Sequence, residues 1–194
     1  MDAPPCLSAA QQAELLAIAR RAIGERVRGK LPSGAIAADS TLRSPGAAFV
    51  TLMSGARLRG CIGYVHPVSS LAETVAQCAA AAATDDPRFP PVKEEELPHL
   101  GLEISVLSPL VSLPDPAQLQ VGLHGLCISH KGRRGLLLPQ VASERGWDVE
   151  TFLRQTCLKA GLAQDEWQRG AEIQVFTVHH FTDGLPLGPV EPLS

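Results

Sequence analysis

The chain has 194 residues, with 17 Lys and Arg against 20 Asp and Glu, a formal net charge of −3. Hydrophobic residues make up 45% and charged residues 19%, enough apolar material to offset the entropy of chain ordering, so wholesale disorder is excluded. A mildly acidic chain is also a poor general binder of nucleic acid, because phosphate contacts need clustered positive charge.

No apolar run approaches a membrane span. The Ala-rich stretch Leu71 to Ala83 is interrupted by Glu73, Thr74 and Gln77. The sequence opens Met-Asp-Ala-Pro-Pro, without a basic n-region or an apolar h-region, so no signal peptide is expected. The five cysteines are odd in number, widely spaced and free of any C-x-x-C pair, which predicts a reducing cytoplasmic setting over a disulfide scaffold.

Ser8, with Gln11 three residues on, is a capping box that opens a first helix. Leu15, Ile18, Ala19, Ala22, Ile23 and Val27 then recur at helical spacing as one apolar stripe. Breakers follow at Leu31-Pro32-Ser33-Gly34 and Ser44-Pro45-Gly46. Ala47 to Met53 and Arg57 to Tyr64 read as a hairpin turning at Ser54-Gly55. Leu71 to Ala83 is the second helix, and the Asp85-Asp86-Pro87 run cannot continue it.

Gly101 to Leu107 alternates as a strand, with Leu102, Ile104 and Val106 on one side and Glu103 and Ser105 on the other. Short strands are expected at Leu119 to Val121, Leu126 to Ser129 and Gly135 to Leu138. Pro139 suits the first turn of a short helix ending at Gly146. Asp148 caps a third main helix, with Trp147 and Phe152 as a hydrophobic staple and Gly161 as its stop. Glu172 to His179 reads as one last strand, and residues 182–194 as a Pro-rich tail. The mixed order of elements predicts an α+β fold.

The segment Leu58-Arg59-Gly60-Cys61-Ile62-Gly63 is the most unusual in the chain. Strict alternation places Arg59 and Cys61 on one face, where the guanidinium would favour the thiolate and lower the thiol pKa. Gly60 and Gly63 clear space beside the sulfur for another backbone or a ligand. The competing reading is a Cys61 that is a small buried hydrophobe and an Arg59 turned to a carboxylate elsewhere. Cys78 and Cys157 lie on apolar helix faces and read as packing.

His124 precedes a turn glycine and is either a general base or a hydrogen-bonded bystander. Glu103 is either a surface carboxylate or the partner of an arginine. Gln140, in the first turn of a short helix, is placed to help cap exposed N–H groups. His179 and His180 are adjacent and would point to opposite faces of a strand. No H-E-x-x-H, paired-cysteine or phosphate-cradling motif occurs, so neither a structural metal nor a cofactor is expected.

Ala48-Phe49-Val50-Thr51-Leu52 followed by Leu58-Arg59-Gly60-Cys61-Ile62-Gly63 resembles the signature of the AMMECR domain family, whose prokaryotic members are called AmmeMemoRadiSam system protein A. Asp86-Pro87-Arg88-Phe89-Pro90-Pro91, Glu103 to Ser108, His124-Gly125-Leu126, Gly135 to Val141 and Thr156 to Leu162 continue the resemblance in order. It covers roughly Leu7 to Phe181, nearly the whole chain.

The resemblance implies a single domain over residues 1–181, built of two unequal lobes of mostly antiparallel sheet packed by helices. A cleft between the lobes would be bordered by Arg59 to Gly63. It further implies a Memo-like protein and a radical SAM protein as partners, and supplies no settled reaction. Any radical chemistry would belong to a partner, because this chain lacks a cluster-binding cysteine set.

Two functions are carried forward. In one, Cys61 is the nucleophile of a thiol-dependent enzyme, with Arg59 stabilising the thiolate and Glu103, Arg88, Gln140 and His124 as neighbours named from the family blocks. In the other, the same groove is a non-catalytic module for a small molecule or peptide, with Cys61 as packing. Neither a nucleic acid nor a membrane is expected as a partner.

Overall fold

A computed structural model describes residues 6–31 and 33–184. Pro32 and the prolines of the expected C-terminal tail lie outside the described residues. In chain order the elements are α1 (Ala9–Val27), α2 (Ser40–Arg43), β1 (Ala47–Ser54), β2 (Arg57–Tyr64), α3 (Leu71–Thr84), β3 (Leu100–Leu107), β4 (Val111–Ser112), β5 (Gly125–His130), β6 (Arg133–Leu137), α4 (Pro139–Glu144), α5 (Val149–Lys159), β7 (Glu172–Phe176) and β8 (Val178–Thr182). The described residues form two compact units with a sheet each, one of residues 6–106 and 179–184, the other of Leu107–Val178. The α+β class is as the sequence predicts.

In the larger unit the strand order is β2-β1-β3-β8, with β1 and β2 antiparallel. The helix α1 begins where the capping box places it: Ser8 Oγ accepts from the Gln11 N–H, and Gln11 Oε1 accepts in return from the Ser8 N–H. Its stripe of Leu15, Ile18, Ala19, Ala22 and Ile23 is buried and packs with α3. A second capping box, Ser70 with Glu73, opens α3. Seven alanines in α3 leave a slim helix that lies close to β1 and β2. Leu102, Ile104 and Val106 of β3 are buried in the same core, as their alternation predicts. Ile104→Val is expected to cost about 1 kcal/mol in a urea titration, the usual loss for one buried methylene; a change near zero would place that side chain outside the packed core.

In the smaller unit the order is β4-β7-β5-β6, with antiparallel pairing throughout the hairpin β5–β6 and the pairs β5–β7 and β4–β7. Leu126, Ile128, Ile173 and Val175 share one face and pack with Phe152, Leu153 and Cys157 of α5. Asp148 Oδ1 accepts from the Thr151 N–H at 2.8 Å, and the Trp147 and Phe152 rings sit 6.5 Å apart as the staple requires. Gly161, at φ +69°, turns the chain out of α5 while the Leu162 N–H returns to the Cys157 carbonyl.

Three expectations change. Leu119 to Val121 is a turn, not a strand, because the Gln120 carbonyl accepts from the N–H groups of Leu123 and His124. The expected last strand is two strands in different sheets. It breaks at Thr177, whose N–H and C=O are taken by the side chain and the N–H of Ser108. The third change is a β-bulge in β2. Leu52 pairs Gly60 and Met53 pairs Leu58, so Arg59 has no partner and strict alternation stops there.

Candidate functional site

Arg59, set in the bulge, points its guanidinium at Glu96. Nε and Nη2 donate to the two carboxylate oxygens at 2.8 and 3.1 Å, and Nη1 and Nη2 donate to the carbonyls of Pro90 and Pro91. Its side chain is 13% exposed. This fork pins the segment after α3 to β2 and holds the Glu96 carboxyl below its ordinary range. The expected pairing of Arg59 with the Cys61 sulfur is therefore replaced: the positive group that bears on the thiol is Arg88.

Arg88 is held beside Cys61 by Asp86, which is almost fully buried. Asp86 Oδ1 accepts from the Arg88 N–H and Nε at 3.1 and 2.9 Å, while Oδ2 accepts from Arg88 Nη2 at 2.7 Å and from the Cys61 N–H at 2.9 Å. Four donors, two of them on the charged guanidinium, lower the Asp86 pKa to about 2, and the side-chain hydrogen bonds from Arg88 are the largest cause. Arg88 Nη2 also reaches the Cys61 carbonyl at 3.4 Å. The guanidinium lies 5.4 Å from the Phe89 ring centroid and its side chain stays 46% exposed.

Cys61 is half-buried, and its sulfur accepts from Thr51 Oγ1 at 3.4 Å, across the directly paired position on β1. Burial pushes the thiol pKa up. The Thr51 hydrogen bond and Arg88 oppose that, and the charges of Asp86 and Glu103 add to it. The expected lowering is thus reversed: withdrawal from water outweighs one guanidinium that is itself half solvated and neutralised by Asp86.

The two glycines are filled by the protein itself. A Cβ at Gly60 would lie 2.1 Å from the Ala82 carbonyl oxygen of α3, and one at Gly63 would lie 2.2 Å from the Phe49 ring. Gly60 thus serves the approach of another backbone, and Gly63 seats an aromatic ring.

Cys61, Arg59, Arg88, Gly60, Gly63 and Glu103 all belong to the larger unit. His124 and Gln140 belong to the smaller one. His124 is buried, and its Nδ1 accepts from the Gln120 N–H at 3.1 Å, closing the turn before β5. Burial lowers its pKa, which favours the neutral ring. Gln140 stands in the first turn of α4, where its carbonyl accepts from Ser143 Oγ. Asp86, Thr51 and Glu96 were not anticipated as parts of the site. The readable trace of Asp86 was its place before a proline, where an Asx turn to Arg88 is favoured. Among the described residues no three His, Cys, Asp or Glu side chains are grouped to hold a metal ion, and no helix is long and apolar enough to cross a membrane.

The family model that matches this sequence is AMMECR1, over residues 16–181. The chain belongs to the AMMECR1 family. A relative from Methanothermobacter thermautotrophicus is 47% identical over 161 residues, spanning 78% of this chain and 82% of its own length. One from Aeropyrum pernix is 43% identical over 198 residues, spanning 96% and 85%. Among solved structures, the uncharacterized protein PH0010 from Pyrococcus horikoshii superposes with a TM-score of 0.83 at 40% identity, covering 91% of this chain and 93% of that one. This likeness accords with the α+β fold described above.

Proposed function

We propose that this AMMECR1-domain protein is a ligand- or partner-binding module whose contact surface is the Cys61 side of the larger unit. One observation carries the reading. Arg88 is fixed in orientation by a buried carboxylate yet remains half exposed next to a sulfur whose surroundings favour the neutral thiol. A fixed, accessible guanidinium suits a carboxylate or phosphate on a small molecule or peptide. A neutral thiol beside it contributes polarisable contact, not a nucleophile.

The second reading is a thiol-dependent enzyme or enzyme component with Cys61 as nucleophile. It draws on exposure: Cys78, Cys127 and Cys157 are buried, whereas Cys61 is half-buried. It requires a ligand or partner to supply the base that the Thr51–Cys61 pair lacks. In either reading we propose a Memo-like protein and a radical SAM protein as companions, on the strength of the family resemblance; co-purification of the full chain with each tests this.

Alkylation separates the two readings. The rate of Cys61 labelling by iodoacetamide is expected to rise only at a pH above that of an ordinary thiol, near 8.5. Cys78, pushed up to about 12, should stay unlabelled in the folded protein. Half-maximal Cys61 labelling well below pH 8.5 would establish an activated thiolate and favour the enzyme. Cys61→Ser should keep partner binding and biological activity if the module reading holds, and Arg88→Gln should reduce both.

A further inference from the structure

The hairpin between β5 and β6 turns through Lys131 and Gly132, with His130 paired to Arg133 across the turn. Both turn residues have left-handed backbones, φ 49° at Lys131 and 78° at Gly132, and Lys131 is the one non-glycine residue in that conformation among those described. Two-residue hairpin turns of this kind favour Asn, Asp or Gly at the first position. A lysine there runs against the local backbone preference, so its side chain asks for a reason beyond the turn.

A hollow of about 550 Å³ opens beside this turn, lined in part by Ser129, Lys131, Gly132, Arg134 and Glu172. That volume lies within the usual range for small-ligand sites. Residues 107–178 hold seven Lys and Arg and seven Asp and Glu, yet three of the seven cations stand within four positions at this rim. Arg133 is held by a hydrogen bond to the Gly161 carbonyl, and His130 Nε2 lies 3.3 Å from Glu166. Arg134, Ser129 and Glu172 form a row across β6, β5 and β7, in which Ser129 Oγ donates to Glu172 Oε2 at 3.1 Å. Glu172 is the single carboxylate among the described residues of the lining.

We infer that this hollow in the smaller unit binds a small phosphate-bearing anion, with Lys131 and Arg134 as its charged contacts. Lys131 supplies a point charge from the turn, and Arg134 a planar fork from the strand. Glu172, engaged by Ser129, limits the net positive charge of the wall and favours a compact anion over a long polyanion. The hollow is lined by residues of the smaller unit, and the inference does not rest on the function proposed for the larger one.

The test is calorimetric titration of the full chain with inorganic diphosphate at fixed ionic strength. Saturable binding is expected, weakened at least tenfold by Lys131→Asn and by Arg134→Gln and unchanged by Lys30→Gln, which removes an exposed cation of the larger unit. Lys131→Asn suits the left-handed turn, so its unfolding midpoint should equal or exceed that of the parent, which separates lost binding from lost folding. Absence of saturable binding, equal binding by Lys131→Asn, or tighter binding of a short single-stranded oligonucleotide than of diphosphate each overturns the inference.

Discussion

Asp86→Asn is expected to destabilise the protein by about 2–4 kcal/mol at neutral pH, because it removes a buried charge that four donors surround. The amide keeps one acceptor oxygen but turns an NH2 group toward N–H donors. The pH dependence gives the sharper check. The carboxyl falls from an ordinary 3.8 to about 2 on folding, so its ionisation favours the native state wherever both forms are charged. That contribution, on the order of 2 kcal/mol, is complete above pH 4–5 and is lost as pH falls through about 2. Chemical denaturation of parent and variant should therefore show a gap that is constant from pH 5 to 7 and narrows toward pH 2. A gap of the same size at every pH would mean that shape, not charge, sets the role of Asp86.

Gly60→Ala is the second large effect, expected to cost about 3 kcal/mol through overpacking. The added methyl would meet the Ala82 carbonyl oxygen at 2.1 Å and the Ala82 carbonyl carbon at 3.1 Å. Both are backbone atoms of a helix, so no rotamer change relieves the contact. β2 or α3 must shift, and the core of Val75, Cys78 and Leu52 moves with them. Gly34→Ala, where an added methyl meets nothing within 4 Å, is the control and should change the urea midpoint little. If Gly60→Ala costs less than 1 kcal/mol, the close seating of β2 on α3 is wrong.

Several local signals whose partners lie within a few residues were legible in the sequence, whereas the turn closed by the Gln120 carbonyl was not. Ser8 with Gln11, Pro139 at the start of α4, and Asp148 with the Trp147–Phe152 staple each form where the chain predicts them. The α+β class follows from the same short-range signals. Two of the misreadings involve distant groups. The bulge at Arg59 depends on how β1 pairs with β2, and no composition cue marks it. The break at Thr177 is made by Ser108, 69 positions earlier.

The environment of Cys61 was half legible. A cation near the sulfur was foreseen, but the obvious one, two residues away, is committed to Glu96. The one that bears on the thiol comes from 27 positions further along. Burial, which decides the direction of the thiol pKa, is a property of packed layers and cannot be read from a hexapeptide.

The Asp86–Arg88 pair has a consequence for solubility. β2 is an outer strand of its sheet, and an outer strand leaves backbone groups open to another chain. At Cys61 the outward N–H is received by a carboxylate and the outward C=O by a guanidinium, so side chains imitate the backbone of an absent neighbour. The flank is thereby closed to self-templating at its middle, and loss of either side chain should show as concentration-dependent association before it shows as unfolding.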